Sequence, residues 1–318
     1  MPSTQIQKHP GSDYGERMMK MKARGAMEMI AAMLISGTVG WPVIASGQPA
    51  VTVVFWRCVF GAFAMFIACA MLGLLKRGVL TRQHIVIAVI GGITLVLNWV
   101  LLFGAYSYAS ISVATVTYHT QPFMLVGLGV LFFGEKLTAN ALCWLLVAFG
   151  GMLFIIIGQT GAITSGSDYL FGIIMALGAA FMYAVTAAII KRLKGLPPHL
   201  IVLIQLLVGA ILLAPFVCWS DLPLSGSTWG LLFIIGVVHT GLMSALLYGA
   251  IQKIPTSLVG ALSFIYPVVA IIVDWLVFDH RLSAVQLAGA AAILLAAAGM
   301  NFGWKLLRDH PCESKKHS

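Results

Sequence analysis

The sequence predicts an all-α integral membrane protein with ten transmembrane helices, arranged as two inverted repeats of five. Three observations support this prediction: an apolar composition, the placement of the basic residues and an internal repeat. The chain is 60% hydrophobic and only 9% charged, with a mean hydropathy of +0.98, whereas a soluble domain is about 25% charged. Apolar runs of roughly 20 residues, enough for a helix to cross a bilayer, follow one another along almost the whole chain.

The apolar runs define ten predicted spans, each with a margin of about three residues at either end. They lie at 26–46, 51–75, 83–106, 110–133, 138–158, 168–191, 199–219, 228–251, 257–278 and 284–307. The connectors are short, so no inserted soluble domain is expected. The first repeat is predicted over 26–158 and the second over 168–307, between a cytoplasmic basic tail at 1–25 and a cytoplasmic tail at 308–318.

The N-terminal 25 residues are expected to be irregular, because they are polar and basic, contain Pro2, Pro10 and Gly11, and show no apolar periodicity. No signal-peptide pattern with a small-residue cleavage site follows them. The first helix is therefore expected to be an uncleaved anchor.

The basic residues orient the predicted bundle. With the N-terminus in the cytoplasm, 17 of the 19 lysines and arginines fall in the tails or in cytoplasmic loops. Only Arg281 falls in an outside loop, and Arg57 lies inside a span. This positive-inside pattern supports an even number of spans, with both termini cytoplasmic. The basic residues behind the net charge of +9 lie at the ends of the predicted spans beside the bilayer surface, so no nucleic-acid partner is expected.

Two stretches 145 residues apart repeat the same pattern. Residues 103–138 and 248–283 align without a gap and share seven identities, among them Pro122 and Pro267. Because each repeat contains five spans, the second copy must cross the membrane in the opposite direction. Inverted repeats are typical of secondary transporters, whose substrate site lies between the two halves near the bilayer midplane. An enzyme or a simple anchor does not need this symmetry.

The residues of the repeat are similar to a known family. The stretch from Ser112-Val113-Ala114 through Pro122 to Gly134-Glu135-Lys136-Leu137-Thr138, with its echo ending Arg281-Leu282-Ser283, resembles the ten-helix EamA-like family. This family belongs to the drug/metabolite transporter (DMT) superfamily, and the resemblance covers about residues 26–307. Arg57 matches a family arginine. The resemblance implies a multi-pass carrier of the bacterial inner (plasma) membrane, usually an exporter of amino acids or other small organic metabolites.

The chain departs from the family pattern at two places. His280 in the second copy stands where the first copy has Glu135, so the role of this glutamate is not symmetric. The family's Trp-Gly pair in span one is replaced by Gly40-Trp41-Pro42. Substrate contacts of relatives therefore do not transfer directly to this chain.

Arg57 and Asp274 are charged residues predicted to lie within spans, at a similar depth below the outer surface. Arg57 lies roughly 9 Å deep at 1.5 Å per residue, and a charge there is costly unless it serves a function. We expect the two to pair as an outer gate, or Asp274 to act as a proton-linked carboxylate. The alternatives are that Arg57 snorkels to the headgroups or pairs structurally, and that Asp274 is a hydrated interfacial acid. In the repeat, Gln205 corresponds to Arg57.

The two intramembrane prolines mark the predicted cavity wall. Each removes a backbone hydrogen bond, and irregular backbone at that depth is tolerated only inside protein or beside a wet cavity. His119 and Gln121 precede Pro122, and Ser263 and Tyr266 precede Pro267. His119 is expected either to pack as a satisfied core histidine or to face the cavity, where it would suit proton coupling.

Several aromatic and polar residues complete the predicted substrate-binding set. Trp41, Trp99 and Tyr118 could stack on an aromatic or cationic substrate, with simple packing as the alternative. Asn98, Tyr183 and His239 could contact a ligand or bond a neighbouring helix. Outside the spans, Glu135 is expected to be structural, capping span five or pairing with Lys136 or another loop cation.

The sequence points to no cofactor and no catalytic or metal-binding residues. No Walker A, Rossmann glycine or HExxH pattern occurs, and the five cysteines show no CxxC spacing, which disfavours a zinc site or a disulfide framework. Active transport would then use an ion or substrate gradient. The Ala-rich span ten permits close packing, either within the chain or in a homodimer.

The leading hypothesis is a secondary carrier that exports a small organic substrate, such as an amino acid, by alternating access between the repeats. Within transport, the alternatives are a proton-coupled exporter of drugs or cationic compounds that uses Asp274, and an uptake permease. An intramembrane enzyme would need paired catalytic groups at one depth, and no spacing in the chain supports that. A structural or sensory membrane subunit would leave the repeat and the intramembrane prolines unexplained.

Overall fold

The computed structural model describes residues 10–76, 78–109, 111–157, 169–222, 225–278 and 283–306. Within these ranges the chain is helical and contains no strand, and ten helical segments are long and apolar enough to cross a membrane. The predicted all-α fold with ten transmembrane helices is therefore confirmed. The inversion of the repeats remains a prediction.

Fourteen α-helices build the ten spans. They are Pro10–Gly37, Gly40–Ser46, Ala50–Met71, Arg82–Tyr108, Ile111–Tyr118, Gln121–Phe133, Ala139–Ile157, Tyr169–Arg192, Pro198–Leu213, Gly226–Gly236, Met243–Lys253, Thr256–Ser263, Ile265–Phe278 and Ala284–Phe302. Spans one, four, eight and nine each contain two of these helices. In span eight the two are joined by a π-helix at Val237–Leu242.

The first helix begins earlier than predicted. Residues 10–25 are helical rather than irregular, because residues 16–24 consist almost entirely of Met, Lys, Arg, Glu and Ala, which favour helix. Two pairs at i, i+4 spacing support it: Lys20 with Glu16, and Arg24 with Glu28. Residues 1–9 lie outside the described ranges.

The spans pack as two similar groups. Spans three, four and six contact one another, and so do spans eight, nine and one. Spans two and seven, four and nine, and five and ten meet across the molecule. Spans one to five correspond to spans six to ten in the predicted repeats. When each span is replaced by its corresponding span, every one of these contacts is found again, as two related repeats would require.

Spans four and nine are broken where the prolines predict. Span four changes helix at His119 and Thr120, with Pro122 in the first turn of the new helix, and span nine changes at Phe264, with Pro267 in the following turn. The first helix of span four and the first helix of span nine both have eight residues. Each break therefore lies about 12 Å from its own end of the span.

Two glycines allow spans five and ten to touch. A Cβ atom added at Gly151 would lie 2.6 Å from the Gly289 carbonyl oxygen, and one added at Gly289 would clash with the Gly151 carbonyl. Ile293 and Ala296 continue this contact and are fully buried. The small residues of span ten thus serve packing within the chain, and a homodimer is not shown.

We expect Gly151→Ala to lower the free energy of unfolding by about 1–3 kcal/mol, because the new methyl group forces the two backbones apart. Gly150→Ala is the matched control, since a Cβ atom there meets nothing within 4 Å. Thermal unfolding of both variants in detergent measures the difference. Equal midpoints would show that the helix contact is not tight.

Candidate functional site

A central cavity of about 250 Å³ lies between the two groups of spans. Residues from spans one, two, three, four, six, eight and nine form its wall, so both halves of the chain contribute. Eight of the predicted site residues line it: Arg57, Tyr118, His119, Gln121, Tyr183, His239, Ser263 and Tyr266. Among the lining residues, Arg57 is the one side chain that is permanently charged.

Arg57 is held inside the protein rather than at the headgroups. It lies seven residues after Ala50, which begins the helix, or about 10 Å along the axis. Its Nε donates a hydrogen bond to Thr240 Oγ1 at 2.9 Å, and its guanidinium carbon lies 5.0 Å from the centre of the Trp99 ring. These contacts fix the guanidinium on the cavity wall and argue against snorkelling.

The π-helix of span eight positions the partner of Arg57. Thr240 Oγ1 donates to the carbonyl of Ile235, five residues earlier, at 2.9 Å. Gly236 and Gly61 let spans eight and two approach closely, since an added Cβ atom at Gly61 would lie 3.0 Å from the Gly236 carbonyl oxygen. Single π-turns inside α-helices occur frequently at functional sites.

The two histidines of the cavity are both tied to the backbone or to a hydroxyl. His119 Nδ1 donates to the Thr115 carbonyl at 2.8 Å, and its ring lies nearly parallel to that of Tyr266, with the ring centres 6.1 Å apart. His239 Nε2 lies 3.0 Å from Thr38 Oγ1, which itself donates to the Ile35 carbonyl. A hydroxyl has one proton, so His239 is the donor in this pair. Both rings are therefore oriented within the wall.

Gln121 adds an unpaired polar atom to the wall. Its side-chain oxygen is buried and has no hydrogen-bond partner in the described part of the chain. A buried amide oxygen without a partner is rare in folded proteins. Because Gln121 lines the cavity, this atom is available to a donor group on a bound molecule or to water.

A smaller inner chamber of about 90 Å³ continues from the central cavity. Arg57, Tyr118 and Tyr183 line both spaces. Asn98, which lines the inner chamber, donates to Tyr118 Oη at 3.2 Å and to the Ala179 carbonyl at 2.8 Å. Ile190 and Ile251 also line this chamber.

The structure does not place every predicted residue at the cavity. Trp41 is 45% exposed and lines neither space. Gln205 is buried and accepts a hydrogen bond from Tyr248 Oη, so it supports the wall from behind. Trp99 lines the inner chamber and lies beneath Arg57. The Asp274 side chain falls outside the described residues, so its pairing with Arg57 remains a prediction.

One end of the helix bundle carries five lysines and is called the basic face below: Lys22, Lys136, Lys191, Lys194 and Lys253. Two ion pairs link helix ends there. Glu135 pairs with Lys191, and Lys253 pairs with Glu28. These contacts join the ends of spans four and six, and of spans eight and one.

Glu135 also joins span four to span nine. Its Oε2 accepts hydrogen bonds from the Thr256 backbone nitrogen at 2.8 Å and from Thr256 Oγ1 at 2.6 Å. The predicted structural role therefore holds. The carboxylate caps the start of span nine rather than span five, and its cation is Lys191 rather than Lys136. Burial alone would raise the pKa of Glu135, but hydrogen bonds from Lys191 and Thr256 outweigh burial and lower it.

Sequence reasoning missed the groups that hold the site in place. The Thr240 hydroxyl accepts from Arg57, and the Thr115 carbonyl accepts from His119. Threonine is common in spans, however, and gives no signal by itself. The pairing of Glu28 with Lys253 joins residues 225 positions apart. Gly236, directly before the π-helix, and Gly241, inside it, were the available hint of a close helix approach.

The sequence pattern of the EamA-like transporter family matches residues 23–157 and 170–302, one copy in each half. An uncharacterized transporter of Bacillus subtilis, YxxF, is 28% identical over 282 residues, which are 88% of this chain and 89% of that protein. The pseudopaline exporter CntI of Pseudomonas aeruginosa is 26% identical over 80% of this chain and 86% of its own.

One solved crystal structure of a protein superposes with a TM-score of 0.81 at 18% sequence identity. The match covers 90% of this chain and 99% of the other. At this identity the comparison supports the fold alone.

Proposed function

Because the chain belongs to the EamA-like transporter family, we propose that it is a secondary carrier that exports a small organic metabolite, such as an amino acid. The export would cross the bacterial inner membrane by alternating access between the two halves. The observation that carries this proposal is the central cavity at the helix breaks, walled by both halves and closed towards the basic face. A carrier needs a site that one side can reach while the other is shut.

The charges of the cavity support a substrate with a carboxylate. Arg57 offers a fixed guanidinium, and no carboxylate of a described side chain forms an ion pair with it. Gln121 offers an unpaired oxygen that suits an ammonium group. An amino acid carries both groups, whereas a hydrophobic cation would meet Arg57 without a described counter-charge. One similar protein is named as an exporter, which supports export as the direction.

The basic face is proposed to be the cytoplasmic face, with both termini on that side. The lysine-rich loops support this orientation, since cytoplasmic loops are enriched in Lys and Arg. In this orientation the structure is closed towards the cytoplasm.

Counterflow in proteoliposomes tests the proposal. Vesicles loaded with a mixture of unlabelled amino acids should take up a labelled amino acid faster than vesicles without the protein. The same amino acid should raise the unfolding temperature of the purified protein, because a ligand that binds only the folded state stabilises it. Exchange and stabilisation by hydrophobic cations alone would favour the drug exporter instead.

A further inference from the structure

A second pocket, called the basic vestibule here, opens at the basic face. Its volume is about 530 Å³, within the range of small-molecule sites. Five lysines and one glutamate line it, which gives a formal charge of +4: Lys22, Lys136, Lys191, Lys194, Lys253 and Glu135. Methionines of span one and the Ile254-Pro255 turn supply an apolar side.

Three of these lysines have no carboxylate partner among the side chains that the structure describes. Lys191 pairs with Glu135 and Lys253 with Glu28, but Lys22, Lys136 and Lys194 form no ion pair within the described ranges. Cations grouped in a concave site raise the local concentration of anions. The vestibule therefore favours an anion, and its apolar side suits an organic one.

The basic vestibule lies directly below the inner chamber. Ile190 and Ile251 line the chamber, while the next residues along the same two helices, Lys191 and Gln252, line the vestibule. Both isoleucines are 1% exposed. Buried apolar side chains and the ion pairs thus lie between the vestibule and the space that leads to Arg57.

The floor of the vestibule includes the closing ion pair itself. Lys191 Nζ contacts Glu135 and donates to the Ile254 carbonyl at 3.0 Å. Because the pKa of Glu135 is lowered, this carboxylate stays charged at neutral pH, and protonation does not release Lys191 there. An anion that reaches Lys191 competes with Glu135 for the same ammonium group.

We propose that the basic vestibule is an anion-binding site that receives a carboxylate or phosphate group, and that this anion belongs to the substrate on its way to Arg57. This inference rests on the proposed function. The bound anion draws Lys191 away from Glu135 and so weakens the closure that blocks its own path. An anionic lipid headgroup is the other source of the same chemistry.

Calorimetric titration of the purified full chain with citrate, at constant ionic strength, tests the site. We expect the double variant Lys136→Gln/Lys194→Gln to bind citrate about 10-fold more weakly, since each lost charge removes up to about 1 kcal/mol. Lys76→Gln/Arg82→Gln is the matched control, because it removes two exposed charges that do not line the vestibule. Performing the titrations in an Arg57→Gln background separates the vestibule from the central cavity.

Nanodiscs distinguish the two sources of the anion. If the anion is soluble, citrate should bind equally well with phosphatidylcholine and with phosphatidylglycerol. Citrate binding that is lost only with phosphatidylglycerol would assign the site to a lipid headgroup and overturn the substrate role. Equal affinities in the lysine and control variants, or no binding, would overturn the site itself. These are equilibrium measurements, so failed counterflow with intact citrate binding would count against the proposed carrier function alone.

Discussion

Arg57→Gln should weaken binding of the transported amino acid about 10- to 100-fold, because a hydrogen bond to a charged group contributes about 1.5–3 kcal/mol. Arg57 is the permanent charge of the cavity wall, and Thr240 and Trp99 fix its position. Calorimetry on the purified variant measures the affinity, and counterflow in proteoliposomes measures transport. Both should fall together.

Two further variants separate charge from geometry. Arg57→Lys keeps the charge but loses the planar guanidinium over Trp99, so an intermediate loss is expected. Arg82→Gln removes an exposed arginine from the same protein and should leave the affinity unchanged. Unaltered affinity in a folded Arg57→Gln protein would mean that Arg57 is only structural.

Glu135→Ala should open the basic face. The substitution removes the pairing with Lys191 and both hydrogen bonds from Thr256. Each of these bonds to a charged group contributes about 1.5–3 kcal/mol to the closed state. Their loss should raise the population of molecules that are open at the basic face at least about 10-fold. Maleimide labelling of an Ile251→Cys variant, in a background without native cysteines, reports access to the apolar layer.

The control for this experiment is another glutamate–lysine pair. Glu16→Ala breaks the pairing with Lys20, whose side chain is 75% exposed, and should not change the labelling rate because exposed pairs contribute little. Glu135→Gln keeps an acceptor for Thr256 without the charge, so labelling should be intermediate. Identical rates in Glu135→Ala and the parent protein would contradict the role of Glu135 as a closing residue.

The same assay has a predicted pH dependence. The folded-state pKa of Glu135 is lowered, chiefly through Lys191 and Thr256 against the opposing effect of burial. The closing contacts are therefore fully present above the ordinary glutamate pKa of about 4.3, and they are lost as the pH falls through the lowered folded value. Maleimide reacts with the thiolate, whose fraction falls with pH, so each rate is divided by the rate for the unfolded Ile251→Cys protein at the same pH. This normalised labelling should stay flat from neutral pH down to about pH 5 and rise only in stronger acid.

The sequence by itself determined the number of spans and the helix breaks. Apolar runs long enough to cross a bilayer have few alternative structures, because every backbone polar group in lipid must be bonded internally. The helix breaks could be predicted from Pro122 and Pro267, because proline lacks the amide hydrogen that a helix needs. Four residues beside those breaks line the central cavity, and their role in substrate binding remains a prediction: His119, Gln121, Ser263 and Tyr266.

The tertiary structure decided which polar residues share a space. Trp41 and Gln205 have the chemistry of site residues but lie outside the cavity lining, while Thr240 reaches Arg57 through a π-helix. The orientation of a side chain around a helix depends on close contacts such as that of Gly61 with Gly236. The basic vestibule likewise gathers lysines from span one to span eight. Such groupings depend on packing between distant segments, which local periodicity does not encode.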